Sequence, residues 1–406
     1  MAVSVSGVRE YAARFDTSVR SFLPEVAHQV PAIQQRLHVA GVLPEELDSV
    51  AALDRIPVLG KDELCDLQAN QPPFGGYLAG GAKPRRVFQS PGPIYEPQFD
   101  TPDPSRWAPA LRAAGFSAGD VVLNTFGYHL TPAGAMFEEA CRAIGCTVVP
   151  AGVGGESAQV RLCADLGVTA YVGTPSYLKV ILETADEVGV DVGRLSRAFV
   201  SAEPLPGSLR RWLRARVPTV HQGYGTAEAG NLGYECAEMN GLHVPTDALV
   251  QICDLTTGEA RYDDAEGQVV ATMFSPLYPM VRFGTGDLSS WAPGECGCDI
   301  ATPRLSGWLG RVGSAVKVRG LFVHPRQLVA LMSAIPQVAD YRFVIDRVDH
   351  RDTLRCELVA TGGTDRGAVL TLVRARARSL LRLAVDVVLV DAVENGGPLV
   401  DRRTWS

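Results

Sequence analysis

The amino-acid sequence predicts an α/β protein in which helices cover a mostly parallel sheet. Helical patterns and short apolar runs alternate between about residues 105 and 203, as they do in folds built from β–α–β units. After about residue 244 the chain becomes rich in short strand-like runs. The last hundred residues follow a glycine-rich stretch at 306–320 and indicate a separate, small α+β domain.

The individual elements follow from spacing and from breaker residues. Apolar side chains at helical spacing in 5–70 predict helices with short breaks, and the prolines and glycines of 71–86 end that regular structure. Further helices are predicted at 105–116, 133–145, 157–167 and 175–189. Strands are predicted beside them at 120–126, 146–152, 168–174 and 197–203.

The glycine-rich stretch divides the chain into two predicted domains. A large N-terminal domain spans 1–305, and its β-rich part begins near residue 244. A C-terminal domain spans 306–406, with the predicted order β, α, β, β, α, β. In open parallel sheets, ligands bind beyond the carboxyl ends of the strands. The candidate site residues are therefore those that follow strands, at 127–131, 173–176, 201–204 and 224–228.

Composition and charge exclude several classes of protein. The net charge of −7 is spread over both signs, and no basic stripe suits a nucleic acid. No apolar run reaches the 18 or more residues that a membrane span needs. The N-terminus becomes charged too soon for a signal peptide. We therefore expect a cytoplasmic protein that binds neither nucleic acid nor membrane. The sequence leaves open whether it is a homodimer.

Four residues form a candidate metal site. Cys236 and His243 lie seven positions apart, and Cys296 and Cys298 form a Cys-x-Cys pair. Three thiolates and one imidazole are a closed tetrahedral zinc set, and two distant half-sites are typical of structural zinc. The alternative is that these cysteines are small core residues. We predict that the remaining cysteines are core residues: Cys65, Cys141, Cys146, Cys163, Cys253 and Cys356.

Several motifs occur in the order found in adenylate-forming acyl-CoA ligases. They are "GKDELCDLQANQPPFG", "VSAEPLP", "QGYGTAEAG", "RFGTGDLS" and "LGRVGSAVKVRGLFVHPRQL". The stretches "TPSYL" and "ECAEMNGLHV" are most similar to the phenylacetate–CoA ligase branch. The resemblance implies an adenylate-forming-enzyme fold with a large α/β domain, a β-rich subdomain and a small C-terminal lid. It also implies a two-step reaction, in which a carboxylate and ATP give an acyl-adenylate and coenzyme A then gives the thioester.

The resemblance also implies roles for the residues that match its motifs. Tyr224 would stack on adenine, Glu228 would hold magnesium, and Asp287 would accept both ribose hydroxyls, which suits a carboxylate. The other implied nucleotide-binding residues are Ser201, Ala202, Glu203, Pro204, Gly225, Thr226 and Arg311. Lys317 and Arg319 would lie on the lid toward coenzyme A. Without the resemblance, the carboxylates would be ordinary loop or capping residues.

The sequence indicates less about the residues of the acyl pocket. By the resemblance, Tyr128, Pro175 and Tyr177 would line it, which favours an aromatic or short acyl group. His129 follows a strand end, where an imidazole can act as a base or donor near neutral pH. The alternative is that His129 is a packed part of the pocket wall.

Three departures from the family pattern concern ATP activation. The family's phosphate loop, Ser-Ser-Gly-Thr-Thr-Gly-Lys-Pro, is replaced here by residues 89–97 of "FQSPGPIYEPQ". Pro91 and Pro93 have no N–H to offer a phosphate, and Glu96 stands where the lysine belongs. The hinge acids are replaced by Gly313 and Ser314. Asn395 stands near the position of the family's catalytic lysine.

Three readings of these departures stay open. ATP chemistry is lost, and the protein handles an acyl-adenylate or acyl-CoA thioester made elsewhere; or it is a conventional ATP-dependent ligase; or it is a non-catalytic binding or partner subunit. On the first reading, residues 90–97 form a stiff plug. Ile94 and Tyr95 then fill the space of the outer phosphates, and Glu96 repels a polyphosphate or pairs with Arg319 or Lys317.

Overall fold

The computed structural model describes residues 5–90, 92–312, 316–319, 321–323, 325–349, 351–394 and 398–403. The chain forms two compact units. The large unit contains Met1–Leu205 and Arg210–Gly310, and the small unit contains Pro206–Leu209 and Arg311–Ser406.

Helices occupy the first part of the large unit, as the apolar spacing predicts. They are α1 (Val5–Ala13), α2 (Asp16–Gln29), α3 (Pro31–Ala40) and α4 (Lys61–Asn70), with 3₁₀ turns at Pro44–Glu46 and Ala51–Arg55. Val19 and Val26 of α2 are fully buried in the core. Just before α4, the Leu59 N–H donates to the Arg282 carbonyl (2.8 Å) and the Leu59 carbonyl accepts from the Gly284 N–H (2.9 Å). The start of α4 is therefore fixed to a central strand.

Residues 86–98 form a β-hairpin. Its strands, β1 (Arg86–Ser90) and β2 (Ile94–Gln98), are antiparallel, and Ser90 pairs with Ile94. The sequence predicts a stiff segment here but not paired strands. Pro97 is tolerated in β2 because a two-stranded ribbon has outer edges where no N–H is needed.

A mixed sheet confirms the predicted β–α alternation. Its elements in chain order are α5 (Ala108–Ala113), β3 (Val121–Asn124), α6 (Ala133–Ile144), β4 (Thr147–Pro150), α7 (Glu156–Leu166), β5 (Ala170–Gly173), α8 (Pro175–Val188), β6 (Arg197–Val200), α9 (Gly207–Arg214), β7 (Thr219–Thr226), β8 (Gly230–Tyr234) and β9 (Leu242–His243). Neighbouring strands from β4 through β3, β5 and β6 to β7 are parallel, whereas β7, β8 and β9 are antiparallel. Strands β5 and β6 are almost fully buried, as is typical of a parallel sheet that helices cover.

A second, antiparallel sheet accounts for the predicted β-rich part. It contains β10 (Ala248–Cys253), β11 (Ala260–Arg261), β12 (Gly267–Met273) and β13 (Met280–Ser289). Strand β14 (Arg304–Leu305) pairs with β9 of the first sheet, and β15 (Gly310–Arg311) adjoins β13. Tyr11 of α1 donates its hydroxyl hydrogen bond to the Ala248 carbonyl (2.9 Å), so the N-terminal helices and this sheet share one core.

The small unit has its own core. Its elements are β16 (Val316–Val318), β17 (Leu321–Val323), α10 (Pro325–Ser333), β18 (Val338–Val348), β19 (Arg351–Ala360), α11 (Arg366–Leu381), β20 (Asp386–Leu389) and β21 (Leu399–Asp401). The four-stranded sheet has the order β20–β19–β18–β21 and contains three of the four predicted strands together with β21. The first predicted strand, β16, pairs with β17 in a separate two-stranded sheet. Phe343, Cys356 and Val373 are fully buried between sheet and helices.

The described part of the chain contains no helix that is both long enough and apolar enough to cross a membrane.

Candidate functional site

Asp287, on β13, is held by two donors. The Tyr224 hydroxyl donates to its Oδ2 (3.0 Å), and the Trp308 indole N–H donates to its Oδ1 (2.9 Å). The carboxylate is buried, and a carboxylate can accept several hydrogen bonds at once. Tyr224 and Trp308 therefore fix the orientation of the group that the family resemblance places against the ribose hydroxyls. Trp308 was not predicted from the sequence, because nothing in its motif shows which strand it faces.

The residues after β6 form a tight turn beside β7. The Ser201 hydroxyl donates to the Gly223 carbonyl (2.8 Å), which ties the two strand ends together. Ala202 has a φ of 69°, a left-handed conformation that is uncommon outside glycine. Pro204 continues the turn and is half-buried. The predicted adenine wall is thus a rigid backbone segment.

Glu203 reaches from this turn to the start of α8. The Ser176 N–H donates to its carboxylate (3.4 Å). Pro175 is the first residue of that helix, where the missing N–H costs nothing. The Tyr177 hydroxyl accepts from the Gly154 N–H (2.8 Å) and so pins the loop between β4 and α7.

The end of β7 is closely packed. A side chain at Gly225 would bring a Cβ within 2.2 Å of the Gly230 carbonyl oxygen, so only glycine fits there. The Thr226 hydroxyl accepts from the Ala229 N–H (3.1 Å). This small turn presents Glu228 to the interior.

Glu228 forms a buried ion pair with Lys61. The distance from Lys61 Nζ to Glu228 Oε1 is 2.7 Å, and the side chain of Glu228 is only 3% exposed. Burial alone would raise the pKa of Glu228, but the Lys61 ammonium group brings that pKa below its ordinary value. Lys61 lies in a motif that carries the family resemblance, but its contact with a residue 167 positions away could not be predicted from that motif.

Glu96 points into the same buried region. It is 6% exposed. Burial, followed by the charge of Glu228, raises the pKa of Glu96 well above its ordinary value, and Lys61 acts in the opposite direction. Within the large unit, the charged groups that act on Glu96 are thus Glu228 and Lys61.

Several hydrogen bonds dock the hairpin on the rest of the large unit. The Gln68 side chain of α4 brackets Tyr95: its amide donates to the Tyr95 carbonyl (2.9 Å), and its oxygen accepts from the Tyr95 N–H (2.7 Å). The Cys65 thiol donates to the Gly92 carbonyl (2.7 Å), and the Gln89 N–H donates to the Leu130 carbonyl (2.9 Å).

The structure agrees with only part of the prediction that residues 90–97 fill space inside the protein. Ile94 is buried, but the Tyr95 side chain lies at the surface with 39% exposure, since alternate strand residues face opposite sides. Cys65 is half-buried beside the hairpin rather than part of the core, whereas the other cysteines predicted as core are buried. Pro91, Gly313, Ser314 and Asn395 lie outside the described residues.

The loop after β3 holds the two predicted acyl-site residues. The Tyr128 hydroxyl accepts from the Asn124 amide (2.8 Å), and its ring leaves no room for a side chain at Gly134. Burial raises the pKa of Tyr128, so its hydroxyl stays protonated. His129 is exposed at the surface rather than packed in a wall.

The remaining predicted site residues belong to the small unit. Arg311 ends β15, and Lys317 lies on β16, with its side chain outside the description. Arg319 lies in the turn after β16, where its Nε donates to the Asp352 carbonyl (2.7 Å).

The predicted metal ligands are brought together. The ligand atoms of Cys236, His243, Cys296 and Cys298 all lie within 4.8 Å of one another. Sγ atoms of Cys236 and Cys296 are 3.5 Å apart, and Cys298 Sγ is 3.3 Å from His243 Nε2. The edges of a tetrahedral zinc site with these ligands measure about 3.5–3.8 Å. His243 Nδ1 lies 2.8 Å from the Thr302 carbonyl, which orients the ring so that Nε2 faces the thiols.

Several known proteins are similar to this chain. Residues 105–272 match the family model for AMP-binding enzymes. A phenylacetate-coenzyme A ligase from Aromatoleum evansii is 30% identical over 341 residues, which cover 80% of this chain and 76% of that protein. The Escherichia coli (strain K12) ligase of the same name is 26% identical over 412 residues and covers 96% and 93%.

A solved structure matches the fold. The crystal structure of 2-hydroxyisobutyryl-CoA ligase in complex with 2-HIB-AMP and CoA superposes with a TM-score of 0.87 at 21% identity, over 98% of this chain and 90% of that one. This likeness confirms the fold class predicted from the sequence.

Proposed function

Because the chain belongs to the phenylacetate–CoA ligase branch of the adenylate-forming superfamily, we propose that it acts on an aryl or short acyl group presented as an acyl-adenylate or an acyl-CoA thioester. We propose further that the step in which ATP activates a free acid is impaired or lost. Adenosine recognition at Asp287 and Tyr224 would be retained, with coenzyme A or its thioester as the second ligand.

The hairpin at residues 86–98 carries this proposal. A phosphate cradle needs backbone N–H groups that point at the ligand. Here the Gln89 and Tyr95 N–H groups donate to Leu130 and Gln68. Pro93 and Pro97 have no N–H. The segment therefore offers a paired strand, with a buried carboxyl group, where the family has a phosphate loop.

The candidate catalytic residues differ in access. His129 is exposed on the loop after β3 and is the one that could contact an acyl group directly. Glu228 is buried against Lys61 and would act through the charge that it places near the phosphate. Lys317 and Arg319 stay candidates for contact with coenzyme A on the small unit.

Nucleotide binding and pyrophosphate exchange test the proposal. Calorimetric titration should show micromolar-to-millimolar binding of AMP or acyl-CoA, with ATP weaker than AMP. Exchange of labelled pyrophosphate into ATP, with a panel of aryl acids, should stay at background. Formation of an acyl-CoA from ATP and an aryl acid at ordinary ligase rates would instead establish a conventional ligase. The curated relatives, all phenylacetate-coenzyme A ligases, favour that second candidate.

We also propose a structural zinc ion bound by Cys236, His243, Cys296 and Cys298. The donor set is closed, so the ion would stabilise the fold rather than take part in the reaction. Support comes from the four converging ligand atoms and from the Thr302 carbonyl that orients His243.

A further inference from the structure

Glu96 and Glu228 leave three carboxyl oxygens in the interior without a partner. Among the described residues, nothing forms a hydrogen bond with either oxygen of Glu96 or with Oε2 of Glu228. Glu96 is 6% exposed, and the Glu228 side chain is 3% exposed. Buried polar atoms are rarely left unpaired, and such oxygens indicate a water or an ion that completes the site. We infer that Glu96 and Glu228 together bind a divalent cation such as magnesium, and that they bind it without a nucleotide.

Glu96 is the ligand that is new in this site. The family resemblance gives Glu228 the role of holding magnesium, and Glu96 stands where the family pattern has a lysine. An ammonium group at that position would repel a cation, whereas a carboxylate attracts one. Magnesium is commonly bound through one or two carboxylates together with substrate phosphates and waters. The second carboxylate replaces a ligand that a nucleotide would otherwise supply, so the inference goes beyond the proposed function and does not depend on it.

One face of α4 brings the two carboxyl groups into the same region. Lys61 and Gln68 lie two turns apart on that face. The Gln68 amide holds Tyr95 of β2 at its N–H and its carbonyl (2.7 and 2.9 Å). The Lys61 ammonium group holds Glu228 Oε1 (2.7 Å). Glu96 follows Tyr95, and its side chain is buried where that of Tyr95 is at the surface, because alternate strand residues face opposite sides.

The charges of this region call for a further cation. Lys61 supplies one positive charge, whereas Glu96 and Glu228 carry two negative charges when both are ionised. The ammonium group occupies Oε1 of Glu228 and leaves Oε2 available. On the paired strand, the Ser90 hydroxyl donates to the Ile94 carbonyl (3.5 Å). An uncompensated carboxylate is costly to bury. A divalent ion would balance the charge and give the three oxygens a partner.

The ligand atoms determine which cation fits. Carboxylate oxygens favour hard ions such as magnesium and manganese, whereas thiolates favour zinc. Magnesium keeps several of its waters when it binds to a protein, so two carboxylates are sufficient anchors. The site therefore differs in chemistry from the proposed zinc site at Cys236, His243, Cys296 and Cys298.

Manganese titration of the nucleotide-free protein tests the inference. EPR of the full-length protein should show about one bound manganese ion per chain, and excess magnesium chloride should displace it, because both ions prefer oxygen ligands. Manganese that binds only when AMP or ATP is present would overturn the inference, since Glu228 and the nucleotide would then supply the ligands. Absence of any bound manganese would overturn it as well.

Glu96→Gln removes the ligand that is specific to this chain. It should weaken manganese binding about tenfold or more, since even a residue that only supports a metal ligand contributes that much. Glu139→Gln is the matched control, because Glu139 also contacts the hairpin, through Arg86 (2.7 Å), but has its charge paired there. It should keep the manganese affinity of the unaltered protein. Equal affinity in Glu96→Gln and the unaltered protein would contradict a role for Glu96.

Thermal denaturation gives a second readout. Excess manganese should raise the melting temperature of the unaltered protein, because an ion that binds the folded state stabilises it. It should leave the melting temperature of Glu96→Gln unchanged, and an equal shift in both proteins would count against the inference. Failure to bind AMP or an acyl-CoA would overturn the proposed function but not this inference, which is measured without either ligand.

Discussion

At the scale of single residues, the carboxylate of Asp287 depends on partners from two other segments. Trp308→Phe removes the indole N–H that donates to Oδ1 but keeps an aromatic ring. AMP affinity should fall about three- to tenfold, because an unsupported carboxylate loses its fixed orientation. Calorimetric titration measures this change.

The matched control for Trp308 is Trp291→Phe. Trp291 makes the same kind of bond, from its indole N–H to the Arg261 carbonyl (3.0 Å), but in the core of the large unit. It should lower the free energy of unfolding by about 1 kcal/mol and leave AMP affinity unchanged. Equal effects of both variants on AMP affinity would contradict a specific role for Trp308.

Glu96 should tolerate loss of its charge. Glu96→Gln keeps the volume and removes a carboxyl group whose ionisation is disfavoured, so the free energy of unfolding should stay equal or rise by about 1 kcal/mol. Glu235→Gln is the comparison, because Glu235 is equally buried but pairs with Arg210 at 2.6 Å. It should lose about 3 kcal/mol. Urea denaturation at neutral pH measures both, and a similar loss in the two variants would show that Glu96 is a paired carboxylate.

The acidic residues of the candidate site could be predicted from the sequence, but the residues that contact them could not. Asp287, Glu228 and Glu96 lie in motifs or at departures from motifs, so their positions could be read from the chain. Lys61 and Trp308 contact them across 167 and 21 positions, respectively. Such contacts depend on how the sheets pack, and no local spacing encodes them.

At the scale of elements, the hairpin decides whether ATP has a place to bind. Replacing residues 91–96 with Ser-Gly-Thr-Thr-Gly-Lys restores hydroxyls, free N–H groups and a cation after Ser90. ATP affinity should rise about tenfold or more, as measured by calorimetric titration. Gln68→Ala is the control, since it loosens the hairpin at Tyr95 without creating a cradle. It should leave ATP affinity low. An equal gain in both variants would mean that the hairpin only obstructs the site.

The predicted zinc ion would connect the end of β8, strand β9 and the loop before β14. The purified protein should contain about one zinc per chain by elemental analysis. Cys296→Ser should lose the metal and lower the melting temperature, because closed four-ligand sites support folding. Cys163→Ser changes a buried thiol outside the cluster and should keep the metal. A metal-free protein, purified without chelator, would rule the site out.

Helices and strands could be predicted where the pattern of apolar residues extends over many residues. Alternation from 105 to 203 identified the parallel sheet because buried strands and amphipathic helices differ in period. The hairpin was missed because three prolines in residues 91–97 argue against strands. Pairing with a single neighbour and docking on α4 outweighed that preference.

At the scale of the whole molecule, two separate apolar cores should unfold separately. The cores of the large and small units consist of different residues. Scanning calorimetry should therefore show two transitions, or a calorimetric enthalpy larger than the van't Hoff enthalpy. Removing zinc with a chelator should shift only the transition of the large unit, which contains all four ligands. One two-state transition that shifts as a whole would contradict this prediction.

The pair of Lys61 and Glu228 also bears on how the protein responds to acid. Burial alone would raise the pKa of Glu228, but Lys61 holds that pKa below its ordinary value. The pair therefore contributes stability above the ordinary carboxyl pKa, and this contribution is lost as the pH falls through the lower pKa of the folded state. Because Lys61 begins α4 and Glu228 follows β7, protonation of Glu228 would break a contact between the N-terminal helices and the mixed sheet.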